Sequence, residues 1–190
     1  AGAYLGNVSA AGDVNGDGYS DVIIGAVNFD NVQVNEGKIY VYHGSSAGLN
    51  TAADWMFESN QDNSLLGVSV STACDVNGDG YSDIIAGLPN YNGGQSFEGR
   101  VVVFHGSASG LSTSPDWISE SNQANTNFGR SVSSAGDVNG DGFSDVIIGA
   151  SGYDNTETDE GAAYVFHGSA SGLSSSSDWT AESNQAFANF

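Results

Sequence analysis

Oxygen-bearing side chains are concentrated in three copies of one nine-residue loop. The loops span residues 13–21, 75–83 and 137–145 and have the sequence Asp-Val-Asn-Gly-Asp-Gly-Tyr-Ser-Asp, with phenylalanine for tyrosine in the third copy. Carboxylates this close together repel one another unless a cation lies among them. The donors are hard oxygens without histidine or cysteine, a set that suits calcium better than zinc or copper. The sequence predicts three calcium ions, one in each acidic loop.

Each acidic loop offers the same predicted ligands, which are the side chains at positions 1, 3, 5 and 9 and the backbone carbonyl at position 7. Glycines at positions 4 and 6 allow the tight turn, because glycine adopts positive φ cheaply. An EF-hand is excluded, since its twelfth position needs a glutamate and this chain has Ile24, Ala86 and Ile148 there. The alternative is a metal-free turn rich in Asn-Gly and Asp-Gly. The predicted metal ligands are Asp13, Asn15, Asp17, Tyr19, Asp21, Asp75, Asn77, Asp79, Tyr81, Asp83, Asp137, Asn139, Asp141, Phe143 and Asp145.

The composition limits the classes of partner. The chain has 190 residues, 23 acidic residues and only three lysines and arginines, for a net charge of −20. Such a charge repels nucleic acid and anionic lipid, and no apolar run approaches the length of a membrane span. The single cysteine, Cys74, excludes a disulfide framework and stands where the other copies have Gly12 and Gly136. Weak calcium loops suit an extracellular, secreted or cell-surface protein, because free calcium is high there.

The acidic loops recur every 62 residues, which indicates an array of one structural unit. Each unit has four predicted short strands, represented by residues 131–135, 21–26, 37–44 and 54–58, and no stretch has a helical period. Four short strands in a unit of this size are typical of one propeller blade. The sequence predicts an all-β fold of three four-stranded antiparallel β-propeller blades, in the units 1–62, 63–124 and 125–190.

The chain resembles the FG-GAP repeat family, whose units build the β-propeller head of integrin α chains and occur in many bacterial surface proteins. The resemblance rests on the three acidic loops, on Phe128-Gly129, and on partly degraded elements such as Gly25-Ala26-Val27. It implies calcium at the same five positions of every loop and a role in adhesion to a protein or glycan ligand.

Three blades cannot readily close a ring, and two blade faces would stay exposed as apolar patches. The chain is therefore expected either to be part of a larger propeller or to associate with another copy through the exposed blade edges. Two copies would make a ring of six blades, whereas a contact that fails to close would give a filament. The sequence alone leaves these alternatives open.

Residues that could support catalysis recur identically in every unit, which argues against an enzyme because a single active site breaks the symmetry. His43, His105 and His167 are expected to be structural, and Trp55, Trp117 and Trp179 are expected to cover the seams between blades. The main hypothesis is a non-enzymatic, calcium-binding extracellular module for adhesion. The alternatives are a self-assembling structural subunit, as a six-bladed dimer or a filament, and the propeller portion of a larger surface hydrolase.

The units differ mainly in the loops 27–36, 89–98 and 151–160, which are predicted to lie at the opposite end of the blades from the acidic loops. An aromatic residue lies among amides and acids in each of these variable loops. Phe29, Tyr91 and Tyr153 are therefore predicted to face a ligand, and an ordinary solvated loop is the alternative.

Overall fold

Twelve β-strands and no helix occur in the part of the chain that the computed structural model describes, residues 5–190. The predicted start of the first unit, residues 1–4, lies outside this range. In chain order the strands are β1 (Leu5–Gly12), β2 (Asp21–Ala26), β3 (Lys38–Tyr42), β4 (Trp55–Glu58), β5 (Ser69–Cys74), β6 (Asp83–Leu88), β7 (Arg100–Phe104), β8 (Trp117–Glu120), β9 (Phe128–Gly136), β10 (Asp145–Ala150), β11 (Ala162–Phe166) and β12 (Trp179–Glu182).

The strands form three four-stranded antiparallel sheets with the orders β1-β2-β3-β4, β5-β6-β7-β8 and β9-β10-β11-β12. We call these sheets blades 1, 2 and 3. The predicted all-β fold of three antiparallel blades is confirmed. Inner strand β9 extends beyond the predicted residues 131–135, because an irregularity in its register lets Phe128 pair with Ala150. The outer strand of blade 1 starts at Trp55, since Asp54 ends the ladder by accepting a hydrogen bond from the His43 N–H at 2.8 Å.

Neighbouring blades pack face to face, and each of the two contacts, which we call seams, has its own apolar core. At the first seam Ile23, Ile39 and Val41 of blade 1 pack against Val102 and Phe104 of blade 2, all of them at most 2% exposed. The second seam joins blades 2 and 3 through the corresponding residues. Burial at the seams, together with β-branched residues in the strands, explains why the central strands are apolar on both faces.

The outer-strand tryptophans of the first two blades cover the seams, as the sequence predicts. The Trp55 indole N–H donates to the Ser112 carbonyl of the next blade at 3.0 Å, and the Trp117 N–H donates to the Ser174 carbonyl at the same distance. The Trp55 ring also packs edge-on against Phe104, with ring centroids 4.8 Å apart. These partly buried indoles find partners for their N–H groups in the next blade, which fixes how one blade packs on the next.

Because the strands within a blade alternate in direction, their connections alternate between two ends. The acidic loops join β1 to β2, β5 to β6 and β9 to β10, so all three lie at one end. The variable loops join the second and third strands of each blade and lie at the other end.

Cys74 ends the inner strand of blade 2 with φ of 59°, where Gly12 and Gly136 have φ of 80° and 72°. A residue with a Cβ is strained in this left-handed region. The Cys74 N–H donates to the Thr72 hydroxyl at 2.9 Å, which helps to hold the turn. The position thus demands an unusual backbone, and the thiol has no disulfide partner.

Candidate metal centre

The first residue of each acidic loop organises the turn. In the first loop Asp13 Oδ1 accepts the N–H groups of Gly16 at 2.7 Å and Asp17 at 3.1 Å, and Oδ2 accepts the Gly18 N–H at 2.8 Å. Gly16 and Gly18 have φ of 74° and 88°, as the sequence predicts for this turn. The second and third loops repeat the same bonds through Asp75 and Asp137.

The third and fifth residues of the loop lie side by side, and the fifth is exposed in all three loops. The Asn15 amide donates to Asp17 Oδ2 at 3.1 Å, and Asn15 Oδ1 accepts the Asp17 N–H at 3.0 Å. The Tyr19 N–H donates to Asp17 Oδ1 at 2.9 Å. The corresponding bonds recur in the other loops. Three of the predicted ligand side chains, those of Asp13, Asn15 and Asp17, therefore meet in one turn.

The ninth residue of the loop is the anchor between the loop and its blade. Asp21 is fully buried, with Oδ2 accepting the Val14 N–H and Oδ1 accepting the Gly44 N–H, both at 2.9 Å. Asp83 and Asp145 make the same pair of bonds. A buried carboxylate that accepts two backbone donors ties the acidic loop to the turn that follows the third strand.

The electrostatic environment differs between the exposed and buried acids of the loops. Burial raises the pKa of Asp83 to about 6, opposed by the hydrogen bonds from the Gly106 and Val76 N–H groups. At the exposed Asp137 the N–H of Gly142, together with those of Gly140 and Asp141, lowers the carboxyl pKa. Burial of Asp83 and backbone donation to Asp137 thus move the pKa values of these two acids, which lie in different loops, in opposite directions.

The donors in the acidic loops fit a hard divalent cation in their chemistry. A carboxylate has about four lone-pair sites, so Asp17 and Asp21, with two hydrogen bonds each, keep acceptor capacity for a metal. Across residues 5–190, however, no three His, Cys, Asp or Glu side chains are gathered so as to hold a metal ion. The observed side-chain arrangement is that of backbone-bonded turns, and the assignment of calcium to the fifteen residues stays a prediction.

The first two acidic loops are also supported from the neighbouring blade. A Cβ at Gly16 would lie 2.5 Å from a carbon of the Tyr81 ring, and a Cβ at Gly78 would lie 2.5 Å from a carbon of the Phe143 ring. No atom lies within 4 Å of the corresponding position at Gly140 in the third loop. The aromatic residue at loop position 7 therefore closes over the loop of the preceding blade, a role that its backbone-ligand assignment did not suggest.

At the opposite end, the three predicted ligand-facing aromatics are half-buried and already have partners within the chain. The Lys38 ammonium lies 4.7 Å from the centre of the Phe29 ring, and the Arg100 guanidinium lies 3.5 Å from the centre of the Tyr91 ring. Tyr153 packs edge-on against Tyr164 with ring centroids 6.1 Å apart. Their role in recognition stays a prediction.

The variable loops expose other apolar side chains instead, which sequence reasoning missed. Val32, Val34 and Phe97 are 82, 56 and 43% exposed. Apolar residues inside otherwise polar loops are the signal that could have identified them.

A buried acid at the base of each variable loop was also missed. Glu36, Glu98 and Glu160 are fully buried, and each has at least one carboxylate oxygen without a hydrogen-bond partner. In blade 2 the other oxygen of Glu98 accepts the N–H groups of Gly94 at 2.6 Å and Gln95 at 3.2 Å. The signal in the sequence was a glutamate that recurs in every unit, directly before the glycine that precedes the third strand.

The family model for the FG-GAP repeat matches residues 5–42, 66–104 and 128–166, which together make up more than half of the chain. Each match runs through the first three strands of one blade and contains one whole acidic loop. This protein belongs to the FG-GAP repeat family. The sequence interpretation of the family is confirmed, and the repeat boundaries follow the same period as the acidic loops.

Several relatives of this FG-GAP protein are integrin α chains. It is 30% identical to integrin alpha-5 of Xenopus laevis over 178 residues, which are 89% of this chain and 17% of the relative. It is 34% identical to integrin alpha-6 of Gallus gallus over 148 residues, covering 73% of this chain and 12% of the relative. It is 31% identical to integrin alpha-PS2 of Drosophila melanogaster over 177 residues, covering 90% and 12%. The FG-GAP chain thus spans less than a fifth of the length of these relatives.

Residues 5–190 contain no helix of the length and apolar character that a membrane crossing requires.

Proposed function

We propose that this chain is a non-enzymatic, calcium-binding β-propeller module that works outside the cell in adhesion to a protein or glycan. The observation that carries the proposal is the threefold repetition of one oxygen-donor loop with the same internal hydrogen bonds, on blades of the family that integrin α chains share. No unique cluster of acid, base and nucleophile interrupts the repetition in the sequence.

Calcium would be held in each loop by the side chains of positions 1, 3, 5 and 9 and by the carbonyl of position 7. When bound, the cation offsets the repulsion among the loop acids and stiffens the turn. The chain's own contribution is to fold the turn that carries those oxygens and to attach it to the blade. Asp21 and its equivalents fix the loop to the blade, and the N–H groups of positions 4, 5 and 6 orient the first carboxylate.

The extracellular setting is supported by the chemistry of the loops and by the relatives. Backbone N–H groups compete with a cation for the oxygens of the first loop residue, and weak calcium sites fill where calcium is abundant. The net charge of −20 would also be reduced by bound cations. The variable loops supply the recognition surface in this proposal, with Val32, Val34 and Phe97 as its exposed apolar contacts.

Calorimetric titration of the chelator-stripped chain with calcium chloride tests the proposal. We expect three ions per chain and a rise in melting temperature with calcium, because a ligand that binds only the folded state stabilises it. The Asp141→Asn variant should bind two ions, since it removes an exposed predicted ligand of the third loop. The Glu157→Gln variant removes one acidic charge from an exposed position of the same blade and should still bind three.

Absence of heat and of thermal stabilisation in wild-type chain at millimolar calcium would reject calcium binding. Equal stoichiometry for Asp141→Asn and Glu157→Gln would show instead that calcium is bound diffusely by the acidic surface.

A further inference from the structure

At the first seam an aromatic side chain from the outer strand of blade 1 packs between the two blades. Phe57 pairs with Ile39 of the neighbouring strand, and its ring lies edge-on against Phe104 of blade 2 with ring centroids 4.9 Å apart. The same ring stacks on Trp55 at 6.3 Å, with the two planes 13° apart. Because Phe57 belongs to one blade and Phe104 to the next, the contact buries aromatic surface at the outer side of the seam.

The second seam lacks this ring, although the aromatic pair beside it is retained. Ser119 stands at the position of Phe57 and pairs with Val101, which belongs to the core of the second seam. Trp117 packs edge-on against Phe166 at 5.0 Å, close to the 4.8 Å of the equivalent pair at the first seam. The second seam therefore keeps the residue against which a phenyl ring would pack and lacks the ring itself.

A groove of about 210 Å³ opens at the outer side of the second seam, beside Ser119. Phe128, Tyr164 and Phe166 form its aromatic side, and Ser119 and the serines at 175–177 lie along its polar side. A cavity of about 150 Å³ is large enough to bind benzene, so the groove has room for a phenyl ring.

The groove persists although two residues around it are larger than those at the first seam. Tyr164 stands in place of Val102, and Phe128 stands in place of Leu66. The two rings pack edge-on against each other with centroids 5.6 Å apart. Since both still line the groove, they enlarge its aromatic surface without filling it.

The groove lies between two blades that the chain itself provides, and it stays accessible if further blades follow. Tyr164 and Phe166 project from blade 3 towards blade 2 and pack in the second seam. A following blade would pack on the other face of blade 3, where Trp179 occupies the position from which Trp55 and Trp117 contact the next blade. None of the described residues that line the groove belongs to the acidic or variable loops. A role for the groove therefore goes beyond the proposed function and needs no calcium.

We propose that this groove binds an aromatic side chain, phenylalanine or tyrosine, from a basic segment of a partner protein. The first seam indicates a ring, because Phe57 occupies the equivalent place there. The serine hydroxyls along the polar side can both donate and accept hydrogen bonds, so they can bind the backbone next to the ring. The net charge of −20 attracts lysines and arginines beside the ring and repels acidic segments. An aromatic anchor in a fitted pocket commonly supplies much of the affinity of such a contact.

Two short peptides of equal charge test the proposal by two-dimensional NMR titration of the isotope-labelled chain in chelator. The probe is acetyl-Lys-Phe-Lys-amide, and acetyl-Lys-Ala-Lys-amide has the same charge without the ring. The phenylalanine peptide should bind about tenfold more tightly, because it buries one ring against Phe128, Tyr164 and Phe166. Its chemical-shift changes should be centred on Ser119 and residues 175–177.

Substitutions at Ser119 and Phe57 make each seam resemble the other. Ser119→Phe fills the groove with the chain's own ring, so it should weaken binding of the phenylalanine peptide about tenfold. Ile118→Phe is the matched control and should leave binding unchanged, because it adds a ring on the opposite face of the same strand, where Ile118 is 48% exposed. Phe57→Ser should open an equivalent groove at the first seam, so that the chain binds two peptides.

Circular dichroism checks that the variants fold, and Ser119→Phe and Ile118→Phe decide alone if Phe57→Ser does not. Equal affinity for the two peptides would show that the acidic surface binds charge only, and equal affinity of wild type and Ser119→Phe would place the ring elsewhere. Either result overturns the proposal, as does a folded Phe57→Ser that binds only one peptide. Saturable binding of methyl β-glucoside at Ser119 and 175–177, without binding of the phenylalanine peptide, would assign the groove to a glycan and overturn it as well.

Discussion

Blades 1 and 3 have closely similar sequences but different surroundings. The acidic loop of blade 1 is covered by Tyr81 and Ser82 of the next blade, whereas the loop of blade 3 has nothing above Gly140. Among the strand residues that differ, blade 1 has Lys38 paired with Glu58, whereas blade 3 has Ala162 opposite Glu182. The same nine residues therefore make the same internal bonds, while their burial is set by the neighbouring blade.

Removal of the buried anchor should have the largest effect and should separate covered from open loops. Asp83→Ala leaves the Val76 and Gly106 N–H groups without an acceptor in a buried site, which should lower the free energy of unfolding by about 3 kcal/mol. Asp145→Ala should cost about 1 kcal/mol less, because the Val138 N–H is only partly buried and reaches water. Urea unfolding in chelator measures both.

Asparagine variants check that the loss of stability in Asp83→Ala and Asp145→Ala comes from lost hydrogen bonds. Asn at either position keeps one acceptor oxygen, so Asp83→Asn and Asp145→Asn should each recover part of the loss. Equal losses for the two alanine variants would show that the neighbouring blade does not affect the anchor.

Addition of a methyl group to the loop tests the covering ring. Both Gly16→Ala and Gly140→Ala put a Cβ at positive φ, which costs about 1 kcal/mol in each loop. Gly16→Ala also places the Cβ 2.5 Å from the Tyr81 ring, so it should cost about 1 kcal/mol more as the ring moves.

Thermal unfolding of Gly16→Ala, Gly140→Ala and the Gly16→Ala/Tyr81→Ala double variant measures this coupling. The double variant should lose the extra cost at Gly16, since the ring is gone. If Gly16→Ala still costs more than Gly140→Ala when Tyr81 is alanine, the extra loss of stability comes from the first acidic loop itself.

The ion pair of blade 1 should have the smallest effect and a defined pH dependence. The hydrogen bond from Lys38 to Glu58 at 2.7 Å lowers the pKa of Glu58 below 4.5, against the effect of burial. A carboxyl whose pKa is lowered by folding stabilises the protein above its unfolded pKa and loses that contribution as the pH falls through the folded value. Lys38→Met should therefore cost up to about 1 kcal/mol at pH 7 and much less at pH 3.

Melting temperatures of Lys38→Met and wild type from pH 3 to pH 7 provide the measurement. Glu182→Gln in blade 3 is the control, because no basic residue faces it and it removes no ion pair. A difference between Lys38→Met and wild type that stays constant over the whole range would exclude Glu58 as its origin.

Much of the fold followed from the sequence, because the unit is repeated and its strands alternate with glycine-rich turns. The strand Asp21–Ala26 has the predicted bounds, and the glycines of the acidic loops have the predicted positive φ. The inner strand β9 was predicted too short, since pairing across a register irregularity leaves no local pattern. Contacts between blades also leave no local pattern in the sequence. The packing of the aromatic ring at loop position 7 over the acidic loop of the preceding blade was therefore missed.

The candidate site was predictable in its donors but not in their arrangement. Spacing identifies Asp13, Asn15 and Asp17 as neighbours in one turn, because turn geometry is local. Spacing does not show that Asp21 is buried and bonded to Gly44, 23 residues away. The burial of Glu36 and the contact of Lys38 with Phe29 likewise depend on packing between strands. Recurrence every 62 residues is the same for a structural acid and for a recognition residue, so it could not distinguish the two.

The placement of the tryptophans gives this chain a built-in optical reporter. All three indoles occupy the same position on the outer strand, two of them bonded across a seam and the third half exposed. Tryptophan emission therefore comes from the two seams and from the outer strand of blade 3. A blue shift confined to Trp179 would mark the arrival of a neighbouring blade, and a red shift of Trp55 or Trp117 would mark the first junction to open during denaturation.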